Sequence, residues 1–179
     1  MKLIPLLLIS ILFFACGEEK VIEQLDETAW TQDVSIEMNQ VFAEEENAEI
    51  ENYLSHRPDW EMTRTGTGLR YFIYKKSENI DTALVGDHVL VDFSIELLDG
   101  TLCYDSAEDG AQTFEVEKAD IEAGLHEAMQ KMCTGDHGIF ILPSQLAHGL
   151  IGDEDKIPPL TAVIYDIQLL EIAHQSDAP

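Results

Sequence analysis

The spacing of apolar residues changes along the chain, and each change marks an element. From Val34 to His56, Met38, Val41, Phe42, Ile50, Tyr53 and Leu54 recur at three- and four-residue steps with glutamates between, the pattern of an amphipathic helix. Arg57-Pro58 ends it, because the residue before a proline is driven away from helical backbone. The period then drops to two. "GLRYFIYKK" follows the Gly66-Thr67-Gly68 turn as a strand. "VLVDFSIELLDG" sets Val89, Val91, Phe93, Ile95 and Leu97 on one face and closes in Asp99-Gly100, a hairpin signal. "TFEV" is a short strand. Asp120 stands where it can cap a short helix with the stripe Ile121, Leu125, Ala128, Met129 and Met132. "HGIFIL" and "LTAVIYDIQLLEI" are the last strands. In the latter Val163, Tyr165, Ile167 and Leu169 share a face, with Ile164, Asp166, Gln168 and Leu170 opposite. No internal repeat is present. The expectation is an α+β domain in which four or five strands surround one short helix, with a separate helix before it.

Composition narrows the classes of function. The 179 residues leave room for one ordinary domain with appendages, and 45% hydrophobic content supplies its core. The formal charge of −25, from 35 acidic and 10 basic residues, repels phosphate backbones and argues against nucleic-acid binding. The two glycines at 66 and 68 lack the rest of a phosphate-binding loop. The six histidines fall in no metal-ligand spacing, so neither a metal nor a cofactor is expected.

The first residues carry an address, not a fold. "MKLIPLLLISILFFACGEEK" has one early lysine, an apolar run from Leu3 to Phe14 and a small residue before Cys16. The run is too short to span a bilayer and has the length of a secretory signal. It is similar to a bacterial lipoprotein signal, which is cut before a lipid-modified cysteine. On that reading residues 1–15 are removed, and acyl chains on Cys16 anchor the protein at about 0.8 kcal/mol per buried CH₂. Phe13 and Phe14 are bulkier than that pattern usually carries. Residues 16–33 read as a flexible acidic tether, 34–57 as the amphipathic helix, 64–172 as the domain and 173–179 as a disordered tail. The helix stripe can pack on its own domain or on a second copy. Cys103 and Cys133 remain, and an oxidising compartment permits a disulfide that spacing alone does not assign.

Five motifs then fall in order: the hairpin with "LDG", "YDS", "DIEAGLHEAMQKM", "LPSQLAHG" and "IPPLTAVIYDIQLL". Together they resemble the FKBP-type peptidyl-prolyl isomerases over residues 64–172. With the lipoprotein-like signal, the chain looks most like the gliding-motility-associated FKBP-like lipoproteins of Bacteroidota. Glu18 and Glu19 are similar to a surface-export signal of some such lipoproteins, or are simply more tether. The resemblance implies a twisted antiparallel sheet wrapped around one short helix. It implies an activity on X-Pro bonds of polypeptide clients in the cell envelope, with the domain facing the periplasm or the cell surface. Pro158-Pro159 would end a loop over the pocket and open the last strand.

Carried over position by position, the resemblance assigns an apolar cup to Phe93, Tyr104, Ile121, Leu125, Ile157 and Tyr165, with Asp105 as its polar rim group. Glu122 falls where the family presents a backbone N–H to the ligand, and His148 where it places a tyrosine. The chain departs from the pattern at four points. Leu125 replaces the usual tryptophan floor, and His148 replaces that tyrosine. Gln112 stands in for an aromatic wall, with Phe114 offset by two. One extra residue separates Gly100 from Tyr104. Reduced isomerase activity is the expectation. The alternative is a non-catalytic chaperone or binding module of the same fold, holding a basic partner on the loop "LIGDEDK" with its Asp153, Glu154 and Asp155.

Overall fold

The computed structural model describes residues 32–118 and 121–175. Helix α1 (Gln32–Ser55) precedes a seven-stranded antiparallel sheet, more than the four or five strands expected, because short segments such as Thr63–Arg64 and Leu102–Asp105 also pair. Its strands are β1 (Thr63–Arg64), β2 (Arg70–Lys75), β3 (His88–Leu97), β4 (Leu102–Asp105), β5 (Gln112–Glu115), β6 (His137–Leu142) and β7 (Val163–Ala173). The one-turn helix α2 (Ser106–Asp109) follows β4, and α3 (Ala123–Met129) follows β5. The strand order is β1-β2-β6-β7-β3-β4, with β5 also on β3. The long strand β3 serves two partners on one edge: β5 along His88–Val91 and β4 along Ser94–Glu96.

Alternation in the sequence becomes sidedness in the sheet. Val89, Val91 and Ile95 of β3 and Val163, Tyr165, Ile167 and Leu169 of β7 are buried in one core with Leu125, Ala128, Met129 and Met132. A helix can lie this close because Gly124 has no side chain. A Cβ there would stand 2.6 Å from Leu142 Cγ and 2.9 Å from the Leu146 carbonyl oxygen. The alternation of β7 breaks where Leu90 pairs Glu171 but Val91 pairs Leu169. This irregularity at Leu170 changes the phase, so Ile172 turns back toward the core.

The opposite face of the sheet is covered by the C-terminal half of α1. Ile50 packs with Ile141, Ala162 and Ile164, flanked by Tyr53 and Leu54. The buried Glu46 carboxylate accepts from Ser144 N at 2.7 Å and from Ser144 Oγ at 3.1 Å. Burial pushes its pKa up, against those two hydrogen bonds. Arg70 reaches Glu51 at 2.8 Å and also bonds Asn47. The expected stripe therefore divides. Ile50, Tyr53 and Leu54 dock on the domain, while Met38 and Val41 remain 37% and 46% exposed.

Three boundaries differ from the sequence expectation. β7 continues through Ala173, and His174 is clamped between Asp87 at 2.8 Å and Asp81 at 2.9 Å, so order extends into the expected tail. Pro158-Pro159 does not begin the last strand. A turn follows, with Leu160 at φ 53°, and pairing starts at Val163. Asp120 lies outside the described residues, and α3 is capped instead by Glu122 in extended backbone, with no side-chain cap bond. Residues 1–31, with Cys16, also lie outside the described part. Cys103 and Cys133 are free thiols.

Candidate active site

One end of the core opens into a cavity of about 230 Å³. Its walls come from β3 (Val91, Phe93, Ile95), Tyr104, Asp109, Gln112, the start of α3 (Ile121, Glu122, Leu125), the β6–β7 loop (His148, Asp153) and Tyr165. Period-two geometry places Val91, Phe93 and Ile95 here together, and the facing strand supplies Tyr165. The Phe93 and Tyr165 rings stand 6.5 Å apart at 42°. The site is an apolar cup with a few polar groups, the common form of a pocket that grips a small apolar group and orients it.

Two polar constellations frame the cup. In the first, the buried Tyr165 hydroxyl donates to Glu122 Oε1 at 3.0 Å. Burial, then the adjacent carboxylate, raises the Tyr165 pKa well above its ordinary value, so it stays a donor. His148 Nε2 lies 3.0 Å from the same Glu122 oxygen. This buried nitrogen makes no hydrogen bond among the described residues apart from that ion-pair contact.

The second constellation holds the loop over the cup. Asp153 Oδ1 accepts from Asp155 N at 2.9 Å and Ile157 N at 2.7 Å, and Oδ2 accepts from the Tyr104 hydroxyl. Burial works against the Asp153 charge, but Tyr104 and the two backbone donors prevail and bring its pKa down to about 2. The Tyr104 hydroxyl is correspondingly pushed up. Lys156 lies over the Tyr104 ring at 4.5 Å and donates to the Cys103 carbonyl at 2.7 Å. Gly152 is required in this loop. It sits at φ 71°, and a Cβ would stand 2.1 Å from the Ile157 carbonyl oxygen.

Seven of the nine residues assigned by resemblance line the cavity: Phe93, Tyr104, Ile121, Glu122, Leu125, His148 and Tyr165. Two do not. Asp105 is the N-cap of α2, its carboxylate accepting from Ala107 N at 2.7 Å, and it lines a separate, shallow surface depression. Ile157 is buried in the core beneath the loop instead of facing the cavity. The extra residue after Gly100 explains part of this. Ile95 pairs Tyr104 while Glu96 pairs Leu102, so Cys103 is bulged out of register. Its thiol is buried under the Lys156 carbonyl, at 3.7 Å. The carboxylate beside Tyr104 is thus Asp153, from the loop, and not Asp105.

Of the residues that resemblance missed, Val91 and Ile95 were marked by sharing a face with Phe93. Nothing local distinguishes Asp153 from its exposed neighbours Glu154 and Asp155. Gln112 does line the cavity, while Phe114 is buried in the core. Among the described residues, no group of three or more His, Cys, Asp or Glu side chains is placed to hold a metal ion.

An antiparallel sheet packed over a short helix, with an apolar cup between them, is the architecture on which comparison with known proteins bears. Residues 81–170 match the family model of the FKBP-type peptidyl-prolyl cis-trans isomerases. The chain belongs to that family. It is 33% identical over 117 residues to a probable FKBP-type isomerase, FkpA, of Neisseria meningitidis, covering 64% of this chain and 42% of that protein. It is 30% identical over 111 residues to the FKBP-type 22 kDa isomerase of Escherichia coli, covering 62% and 53%. The crystal structure of FkpA from Escherichia coli superposes with a TM-score of 0.64 at 22% identity, over 78% of this chain and 64% of that one, which supports the fold. The matched region is thus only about half, or less, of these two relatives' length.

Proposed function

We propose that this chain is a peptidyl-prolyl cis-trans isomerase that acts on X-Pro bonds of exported polypeptides. The observation that carries the reading is the cup of Phe93, Ile121, Leu125 and Tyr165 in a chain of this family. An X-Pro bond prefers trans by only about 0.5–1 kcal/mol, yet takes tens to hundreds of seconds to rotate unaided. No bond is made or broken, so no nucleophile is needed. Rotation breaks the imide resonance and leaves the carbonyl less polar. A pocket walled by side chains of low polarity favours that twisted state over the planar one.

The activity is reduced, on this reading, because Leu125 gives less contact than a large aromatic floor and His148 supplies no phenolic hydroxyl. A lost hydrogen bond is worth about 0.5–1.5 kcal/mol, and the smaller floor costs about 1–2 kcal/mol. The anchor is Cys16, and the tether holds the domain in the cell envelope near its clients. The exposed Ile36 and Val41 give a second copy a surface on which to pair. A gliding-motility role rests on resemblance.

A second reading, a non-catalytic holder of partners, is favoured by one observation. Leu150 and Ile151 are 63% and 68% exposed on the loop, and Leu150 borders a groove against Phe42 of α1. The experiment that separates the two is cis-to-trans exchange of a short X-Pro peptide by NMR, with the full-length chain, with and without an FKBP-directed macrolide. Macrolide-sensitive acceleration is the expected result. A folded protein that neither accelerates exchange nor binds the macrolide would end the isomerase reading in favour of the holder.

A further inference from the structure

The cup contains a carboxylate whose bonding is one-sided. Both side chains that approach Glu122, Tyr165 and His148, meet the same oxygen, Oε1. Among the described residues Oε2 accepts no hydrogen bond. The Glu122 side chain is 16% exposed, and it lines the cavity. Beside it, the buried His148 Nε2 makes no contact of this kind other than the one to Oε1. None of the cavity-lining residues is Lys or Arg. Lys156, near the rim, has its ammonium on the Cys103 carbonyl. The pocket therefore presents a carboxylate oxygen open to a donor, with no Lys or Arg in its lining and only His148, a cation when protonated, within ion-pair distance of the other oxygen.

We propose that Glu122 is a specificity-determining residue that selects X-Pro segments with a Lys or Arg adjoining the proline. The proline ring fills the apolar cup, and the neighbouring ammonium or guanidinium donates to Glu122 Oε2. This rests on the site binding prolyl peptides, as the isomerase reading requires, and names their class. An acidic neighbour is disfavoured, because its carboxylate would face Glu122 with Asp153 close by. The Tyr165 bond holds the carboxylate in place before the substrate enters, which lowers the ordering cost of recognition.

The test uses the full-length protein and peptides with Lys, Leu or Glu directly before or directly after proline. Both affinity and exchange rate are read by NMR. The expected result is a Lys-to-Glu preference of about tenfold or more at one of those positions. Glu122→Gln, which can still accept from Tyr165, reduces it to within about threefold, and Glu122→Lys reverses it. A preference near one in the unaltered protein, or one that survives Glu122→Gln, overturns the proposal. Should Glu122→Lys fail to fold, Glu122→Gln carries the test. If peptides bind with the charge preference but none is accelerated, the selection stands and the isomerase reading falls. If no prolyl peptide binds, the selection falls as well.

Discussion

The floor of the cup and the loop above it are held by different physics. The floor is built from Phe93, Leu125 and Tyr165 on β3, α3 and β7, and it continues into a core whose members Val89, Ile167 and Leu169 are fully buried. Its stability comes from apolar area removed from water, which many residues share. The loop that follows His148 is held by a few polar bonds centred on Asp153, with Lys156 as a second strap. Of its apolar residues, Leu150 and Ile151 point to solvent and Ile157 is buried in the core. The difference teaches that the floor resists a change of conditions but not a cavity. The loop, apart from its buried Ile157, answers to charge, pH and the loss of a single carboxylate. Under the proposed function, the part that grips the proline ring is rigid and lies below, and the part that admits and releases the chain is adjustable and lies above.

The largest effect should come from breaking the floor. Ile167→Ala removes a fully buried side chain and should cost about 2–5 kcal/mol, read as a lowered urea midpoint for the whole domain. A change confined to the loop would contradict this assignment of roles. Next in size is a change to the floor's chemistry. Leu125→Trp with His148→Tyr should raise the exchange rate on an X-Pro peptide by roughly 10- to 300-fold, at tenfold per 1.36 kcal/mol. A flat rate from a folded double variant would remove the floor from the account of activity.

The loop is broken by Asp153→Ala. It strips the Tyr104 hydroxyl and two backbone N–H groups of their acceptor and should loosen the loop by about 1–2 kcal/mol. Hydrogen exchange should quicken at Ile157 while β7 stays protected, and KM should rise more than kcat falls. A gentler route is acid. The folded Asp153 carboxyl lies at about 2, below its ordinary 3.8, so its contribution is complete above the unfolded value and is lost as pH falls through about 2. Protection at Ile157 should fade between pH 4 and 2, and Asp153→Asn should abolish that dependence.

The smallest effect belongs to the far end of the floor. Asp87, then Asp81, raises the His174 pKa. That contribution is therefore full below the unfolded value and is lost as pH rises through the folded one. The urea midpoints of the protein and of His174→Ala should differ most near pH 6 and converge at alkaline pH. Midpoints that diverge at high pH would reverse the sign of this clamp.

Much of the floor was legible in the chain. Alternation in "VLVDFSIEL" and "VIYDIQL" named the inward residues, because a strand's two faces follow from a period the backbone imposes locally. The stripe from Ile121 to Met132 named the helix face for the same reason. The loop was legible only in part. Its position followed from the order of motifs, but its chemistry did not. Asp105 and Asp153 are both aspartates beside turns. Which one meets Tyr104 depends on a bulge at Cys103 and on a chain that returns 49 residues later.

By itself, then, the sequence determined the main elements and their inward faces, since these depend on neighbours two to four positions away, while the apolar lining of the cup came from the family resemblance and held except at Ile157. It also placed Leu125 and His148, because a motif carries its own spacing. Only the tertiary structure decided how separated segments meet. Tyr165 and Glu122, 43 residues apart, share a hydrogen bond. Glu46 reaches Ser144 across 98 residues and docks α1 on the sheet. His174 closes on Asp87 across 87. Ion contacts and hydrogen bonds act over a few ångströms and require particular geometry. Which groups come within that range is set by the register of β3, β6 and β7, not by the residues that flank each group in the chain.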